Sequence, residues 1–163
     1  MARAPGPKTR PFERPLPPNA WTAYCDGSAM PNPGRIGLGA VITAPDGARH
    51  TLSQAAAERG CNNEAEVRAL TAALLALKSM GADVLRVHCD NSVVVAQLGG
   101  GAAKPIARLA HLFDEARALL VSFRQAEVVW IPQHLNSDAD GLARAALGIA
   151  APRTVKASKR RGR

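Results

Sequence analysis

Ala23-Tyr24-Cys25-Asp26-Gly27-Ser28-Ala29-Met30-Pro31-Asn32-Pro33-Gly34 is the stretch that decides how the rest of this chain is read. The apolar run Trp21–Cys25 predicts a strand that delivers one carboxylate, Asp26, at its end. Gly27, Pro31, Pro33 and Gly34 follow and force a turn. The chain then re-enters an extended segment containing Gly37 and Gly39. Alone, Asp26-Gly27 reads as a solvated turn. Its weight comes from the other acids that fall in comparable places.

Working outward, residues 36–44 predict a second strand, Pro45-Asp46-Gly47 a turn, and residues 48–56 a third strand, which makes an antiparallel meander. A helix is expected from Asn63 to Met80. Val67, Leu70, Leu74 and Leu77 recur there at helical spacing, and Gly81 closes it. Val84–Cys89 reads as a strand ending in Asp90, and Ser92–Leu98 as a short helix stopped by the glycines at 99–101. A longer helix is expected over 105–123, a fifth strand over 127–131 ended by Pro132, and a last helix over 137–147. Helices that cross between the later strands make those strands parallel. The expected class is therefore α/β, with a mixed five-stranded sheet, three antiparallel strands then two parallel, flanked by helices.

The 163 residues suffice for one domain with a real core, expected over residues 21–150. Only six residues are Phe, Trp or Tyr, so that core must rest on Ala, Leu, Val and Ile. No apolar run reaches the length of a membrane span and no secretory leader is visible at the N-terminus, so neither membrane nor export is expected. Cys25, Cys61 and Cys89 are odd in number and widely spaced, which fits buried thiols of a reducing compartment, the cytoplasm. No seam of exposed apolar residues marks a dimer, so a monomer is expected. The net charge of +8 is carried by the ends. Residues 1–20 form a Pro-rich basic arm and 151–163 a basic tail, both expected to be disordered, on a nearly neutral body. Such arms suit loose attraction to a nucleic acid, or serve only as solubilising tails.

Four carboxylates fall where such a sheet can gather them: Asp26 and Asp90 at the ends of adjacent strands, Glu66 one turn into the first long helix, and Asp140 one turn into the last. Unpartnered clustered carboxylates repel, and one would take up a proton. Oxygen-only clusters are the usual home of Mg²⁺ or Mn²⁺, and two such ions can activate a water and stabilise the leaving oxygen of a phosphodiester. Glu64 and Asp138 lie two residues before proposed ligands and point elsewhere on their helices.

On these pieces the sequence resembles the type 1 ribonuclease H family. They are Asp26-Gly27-Ser28 with Asn32-Pro33-Gly34, Asn62-Asn63 before Glu66, Cys89-Asp90-Asn91-Ser92, and Asn136 with Ala139-Asp140-Gly141-Leu142-Ala143. The resemblance spans roughly residues 21–147 and implies a ribonuclease H-like fold. It also implies hydrolysis of the RNA strand of an RNA/DNA hybrid, leaving 5′-phosphate and 3′-hydroxyl ends, with two divalent ions per site when substrate is bound. Asp26, Glu66, Asp90 and Asp140 would be the metal ligands. Gly27, Ser28, Asn32, Asn62, Asn63, Ser92 and Asn136 would contact the hybrid, with Asn32, Asn62 and Asn63 reaching 2′-hydroxyls and groove edges.

The chain also departs from the family pattern. Many members carry a mobile His in the loop before the last helix. Here His134 is the candidate, either as that catalytic accessory or as a surface His at a helix start, while position 133 is Gln where others carry Arg. The segment 99–104 lacks the basic, Trp-rich protrusion of bacterial housekeeping enzymes, so the chain resembles the compact, handle-less branch. Cys61 stands where a Thr often supports a DNA phosphate. Other nucleases of the fold, such as junction resolvases and exonucleases, and a non-catalytic module binding hybrid or double-stranded RNA, are the alternatives.

Overall fold

The computed structural model describes residues 15–99 and 104–149. Most of the expected N-terminal arm, the tail 151–163 and the glycines at 100–101 lie outside the described residues. The strands are β1 (Trp21–Met30), β2 (Gly34–Thr43), β3 (Arg49–Gly60), β4 (Val84–Cys89) and β5 (Gln125–Trp130). The helices are α1 (Asn62–Ser79), α2 (Ser92–Leu98), α3 (Ala110–Ser122) and α4 (Ser137–Ala146). One 3₁₀ turn, Ala107–Leu109, leads into α3, so the helix expected over 105–123 begins later than its apolar spacing suggests. A second, Gln133–Leu135, leads into α4. Among the described residues no helix is long and apolar enough to cross a membrane.

The sheet order is β3-β2-β1-β4-β5. β1, β2 and β3 pair antiparallel, whereas β4 runs parallel to both β1 and β5, as the crossover argument requires. Every residue of β4 is buried, which is why its sequence, VLRVHC, does not alternate cleanly. Its polar members are paired inside the fold. Arg86 bonds to Glu127 on β5, and His88 stacks on Tyr24 with ring centroids 4.3 Å apart.

α1 lies across one face of β1. Val67, Leu70, Leu74 and Leu77, the residues whose spacing predicts the helix, are fully buried there. Ala65, Ala69 and Ala73 are equally buried, and their small side chains let the helix approach closely. Phe113 of α3 completes this core. α4 covers the opposite face over β2, where Gly39 accepts the helix backbone directly: a Cβ there would lie 2.3 Å from Ala139 O. Two helices drawn tight onto opposite faces of β1 and β2 are what bring Glu66 and Asp140 to the same end of the sheet.

One expectation is corrected here. Asp26 does not end its strand; β1 continues to Met30, with Asp26 opposite Gly39 of β2. What ends is the parallel ladder between β1 and β4, whose last pair is Cys25 with Cys89. β4 stops there while β1 runs on, so the sheet has a notch on the β4 side of β1. The backbone N–H groups facing this notch still need acceptors. Gly27 N–H donates to Glu66 Oε2 at 3.4 Å, and Ala29 N–H to Asn62 Oδ1 at 3.1 Å. Side chains of α1 thus take the place of the missing strand.

Candidate metal and nucleic-acid site

The notch opens into a cavity of about 400 Å³. Asp26, Glu66, Asp90 and Asp140 all line it, together with Gly27, Ser28, Asn62 and Ser92. One oxygen from each of Asp26, Glu66 and Asp90 lies within 4.8 Å of the other two. Asp140 shares the cavity but stands outside this set, held by Arg144, whose Nε donates to Oδ1 at 3.1 Å and Oδ2 at 3.2 Å.

The three converging acids carry strain of electrostatic origin. Burial, reinforced by the charges of Asp90 and Asp140, pushes the Asp26 carboxyl up to about 7. Burial and then the neighbouring Asp26 hold Glu66 well above the usual carboxylate range. Asp90 is also raised by burial, although the amide of Asn136 works in the other direction. Two buried and one half-buried carboxylate, repelling one another and without a cationic partner among the described residues, fit a hard divalent ion, and an all-carboxylate set suits Mg²⁺ or Mn²⁺.

Asn136 has a different place from the one expected for it. It is 1% exposed, and its Nδ2 donates to Cys25 O at 2.9 Å and to Asp90 Oδ2 at 3.0 Å. Both amide protons are spent inside the protein, so Asn136 orients Asp90 and ties α4 to β1 rather than facing a ligand. Replacing it by Ala strips a buried carbonyl of its donor and should lower stability by about 1–3 kcal/mol. Urea unfolding checks this, and a change below 0.5 kcal/mol (roughly the level of ordinary surface substitutions) would refute the assigned role.

The other expected contacts form a rim. Asn32 Oδ1 accepts from Asn62 N–H at 3.1 Å, and Asn63 Oδ1 accepts from Asn91 Nδ2 at 2.9 Å. Asn32, Asn62 and Asn63 therefore use their carbonyl oxygens internally, and their Nδ2 groups make no hydrogen bond among the described residues. Gly27 N–H faces Glu66, Ser28 is buried in the cavity wall, and Ser92 is exposed at its edge. His134 is exposed on the 3₁₀ turn and is not part of the cavity wall; Gln133, its neighbour, is. Cys61 lies at the start of α1, where its Sγ accepts from Arg108 at 3.3 Å. Glu64 pairs with Arg68, and Asp138 with Arg49, both turned to other partners.

Sequence reasoning missed Arg144, Asn91 and Trp130. Arg144 lies four residues after Asp140, a spacing that places both on one helix face and is the available signal. Asn91 caps α2 by accepting from Val93 and Val94 N–H. Trp130 donates from its indole to Asp90 O at 3.1 Å and so braces the loop after β4. Nothing in its sequence context marks that bond.

A mixed sheet with this strand order and carboxylates gathered beside its central parallel pair defines a ribonuclease H-like domain. A family described as reverse transcriptase-like matches residues 24–146. The bifunctional protein Rv2228c of Mycobacterium tuberculosis is 37% identical over 127 residues, covering 77% of this chain and 35% of its own length. Ribonuclease HI of Halobacterium salinarum is 34% identical over 125 residues, 77% of this chain and 63% of the relative. The chain thus spans about a third of the mycobacterial relative and less than two thirds of the archaeal one. The crystal structure of RNase H1 from the same archaeon superposes with a TM-score of 0.74 at 33% identity, over 79% of this chain and 98% of that one. LC11-RNase H1, solved in complex with an RNA/DNA hybrid, gives 0.70 at 30% identity, over 78% and 96%. The chain belongs to the type 1 ribonuclease H family.

Proposed function

We propose that this chain is a metal-dependent endoribonuclease that hydrolyses the RNA strand of RNA/DNA hybrids, leaving 5′-phosphate and 3′-hydroxyl ends. The observation that carries this reading is the convergence of Asp26, Glu66 and Asp90 oxygens within 4.8 Å, with Asp140 in the same cavity. A protein that only bound phosphates would gain nothing from such a negative cluster. The hybrid in the LC11-RNase H1 complex supports the substrate class.

Asp26, Glu66, Asp90 and Asp140 would hold two Mg²⁺ or Mn²⁺ ions when substrate is bound. Those ions supply an activated water and charge stabilisation for the departing 3′-oxygen. The chain itself does the positioning. Asn136 and the Trp130 indole fix Asp90, and the Gly27 amide fixes Glu66. Asn62 lines the cavity, with Asn32 bonded to its backbone and Asn63 to Asn91. Their amide donors can reach phosphate oxygens or 2′-hydroxyls, the latter being the group that distinguishes an RNA strand. His134 lies in the turn beside this cavity as an accessory for substrate or product. In this reading the catalytic domain covers residues 21–150 and acts as a monomer, and the free thiols of Cys25, Cys61 and Cys89 suit a reducing compartment such as the cytoplasm. The basic ends add sequence-independent attraction to nucleic acid.

The test presents one 5′-labelled RNA strand single, paired with DNA and paired with RNA, in Mg²⁺, Mn²⁺ or EDTA. Internal cuts in the hybrid alone, abolished by EDTA, are expected. Cleavage of branched or single-stranded DNA with hybrids untouched would overturn the substrate class in favour of a resolvase or exonuclease. Hybrid binding with no cleavage under any metal would overturn the enzyme reading in favour of a binding module.

A further inference from the structure

Of the four acids, Asp140 alone has an arginine partner among the described residues. Arg144 Nε bridges both of its oxygens, and the two side chains are only 24% and 19% exposed. Asp90 is bonded instead by a neutral donor, the Asn136 amide, and Glu66 by the Gly27 N–H. Both Arg144 and Asp140 line the acid cavity. An arginine–aspartate pair four residues apart on an open helix surface is worth a few tenths of a kcal/mol. This pair is different in two respects. It is largely shielded from solvent, and its cation sits beside three further carboxylates, which strengthens its hold. A guanidinium also cannot lose its proton to make way for another cation.

We infer that Arg144 is the built-in counter-cation of Asp140 and competes with a divalent ion for that carboxylate. Resting on the metal-dependent reading above, this makes the site fill in two unequal steps when no substrate is present. The first ion meets Asp26, Glu66 and Asp90, which have no cationic partner among the described residues to displace. An ion that needs Asp140 must share it with Arg144 or drive the guanidinium off, at the cost of a charge-assisted hydrogen bond and of repulsion between like charges. Arg144 is thus a positioning residue that acts through Asp140 and sets the order in which the site is loaded.

The experiment is a Mn²⁺ titration of the metal-free, substrate-free full chain, with free Mn²⁺ read by electron paramagnetic resonance. Wild type should show one stronger and one weaker class of site. Arg144→Ala should tighten the weaker class by about tenfold, as expected for losing one charge-assisted bond, and Arg144→Lys should restore the wild-type curve. Asp140→Asn should remove the weaker class in either background. Arg144→Gln keeps most of the side chain without its charge, and should show the same tightening if truncation to Ala harms the fold. A folded Arg144→Ala or Arg144→Gln protein that binds Mn²⁺ no more tightly than wild type would overturn the inference, while hybrid cleavage by wild type would leave the proposed function standing. No Mn²⁺ bound by wild type would remove both.

Discussion

Asp26→Asn should abolish hybrid cleavage, by a factor of about a thousand or more, and in the same protein raise the stability of the metal-free fold. Both effects follow from one carboxylate that is 5% exposed and held among like charges. The loss of activity comes from removing a charged donor from the three-oxygen cluster, where a neutral amide offers a divalent ion far less. The gain in stability comes from linkage. The Asp26 carboxyl titrates at about 7 in the folded protein, against about 3.9 in an unfolded chain. A group whose folded pKa is raised contributes stability that is fully present below its unfolded value and is lost as pH rises through its folded value. Metal-free wild type should therefore weaken between about pH 4 and about pH 7, and the upward shift of Glu66 adds in the same direction. Because Asp26 and Glu66 share their environment, the Asn variant should recover about 1–3 kcal/mol at pH 8 rather than the full nominal shift. Urea unfolding in EDTA at pH 5 and pH 8 is the measurement, repeated with Mg²⁺, which should stabilise wild type more than the variant. A variant less stable than wild type at pH 8 in EDTA, or one that still cuts hybrids, would refute the account.

Gly27→Ala should be the most damaging single methyl group that can be added to the site. A Cβ at that position would lie 2.1 Å from Ala65 O, 2.2 Å from Ala65 C and 2.7 Å from Glu66 N. All three are backbone atoms of α1, so no side chain can rotate away; the helix itself must lift from β1. That displacement loosens the contact made by Val67 and Leu70 and also carries Glu66 away from the Gly27 amide. A destabilisation of about 3 kcal/mol or more is expected, with cleavage lost even in the fraction that stays folded. Gly47→Ala is the control. Its φ is +88° with nothing within 4 Å of the added carbon, so only backbone strain of about 1 kcal/mol applies. A Gly27→Ala protein as stable as the control would show that α1 does not sit on β1 as described.

Much of this was open to a reader of the sequence, for reasons particular to each element. Helix α1 is legible because four apolar residues recur on one face and the short alanines between them have no other use. The four acids are legible as a set because Glu66, Asp90 and Asp140 fall beside strand or helix termini and Asp26 directly follows an apolar run. The position of Asp26 within its strand is not legible, since β1 stays paired with β2 as far as Met30 through a stretch, from Gly27 on, that reads as a turn. Nor is the notch beside it, which depends on β4 ending at Cys89, far along the chain. Asn136 shows the same limit. An Asn before a helix reads as a cap or a contact, and only the packing of α4 against β1 reveals that its amide is spent on Cys25 and Asp90. Gln133 and His134 differ by one residue on a 3₁₀ turn, and a turn of that kind gives no period from which to choose the one that faces the cavity.

The four carboxylates also come from elements spread along nearly the whole described chain, the last of them on the final helix. Contacts between such distant segments are slow to form, because a large loop must close before any interaction rewards it. A growing polypeptide that has completed β1, α1 and β4 already has three acids, yet lacks Asp140, Arg144 and the Asn136 amide that orients Asp90. The proposed cleavage activity is therefore expected only once α4 has been made and has docked. Recovery of the proposed cleavage should lag behind recovery of helical signal by the time α4 takes to dock, so that cleavage would report completed folding.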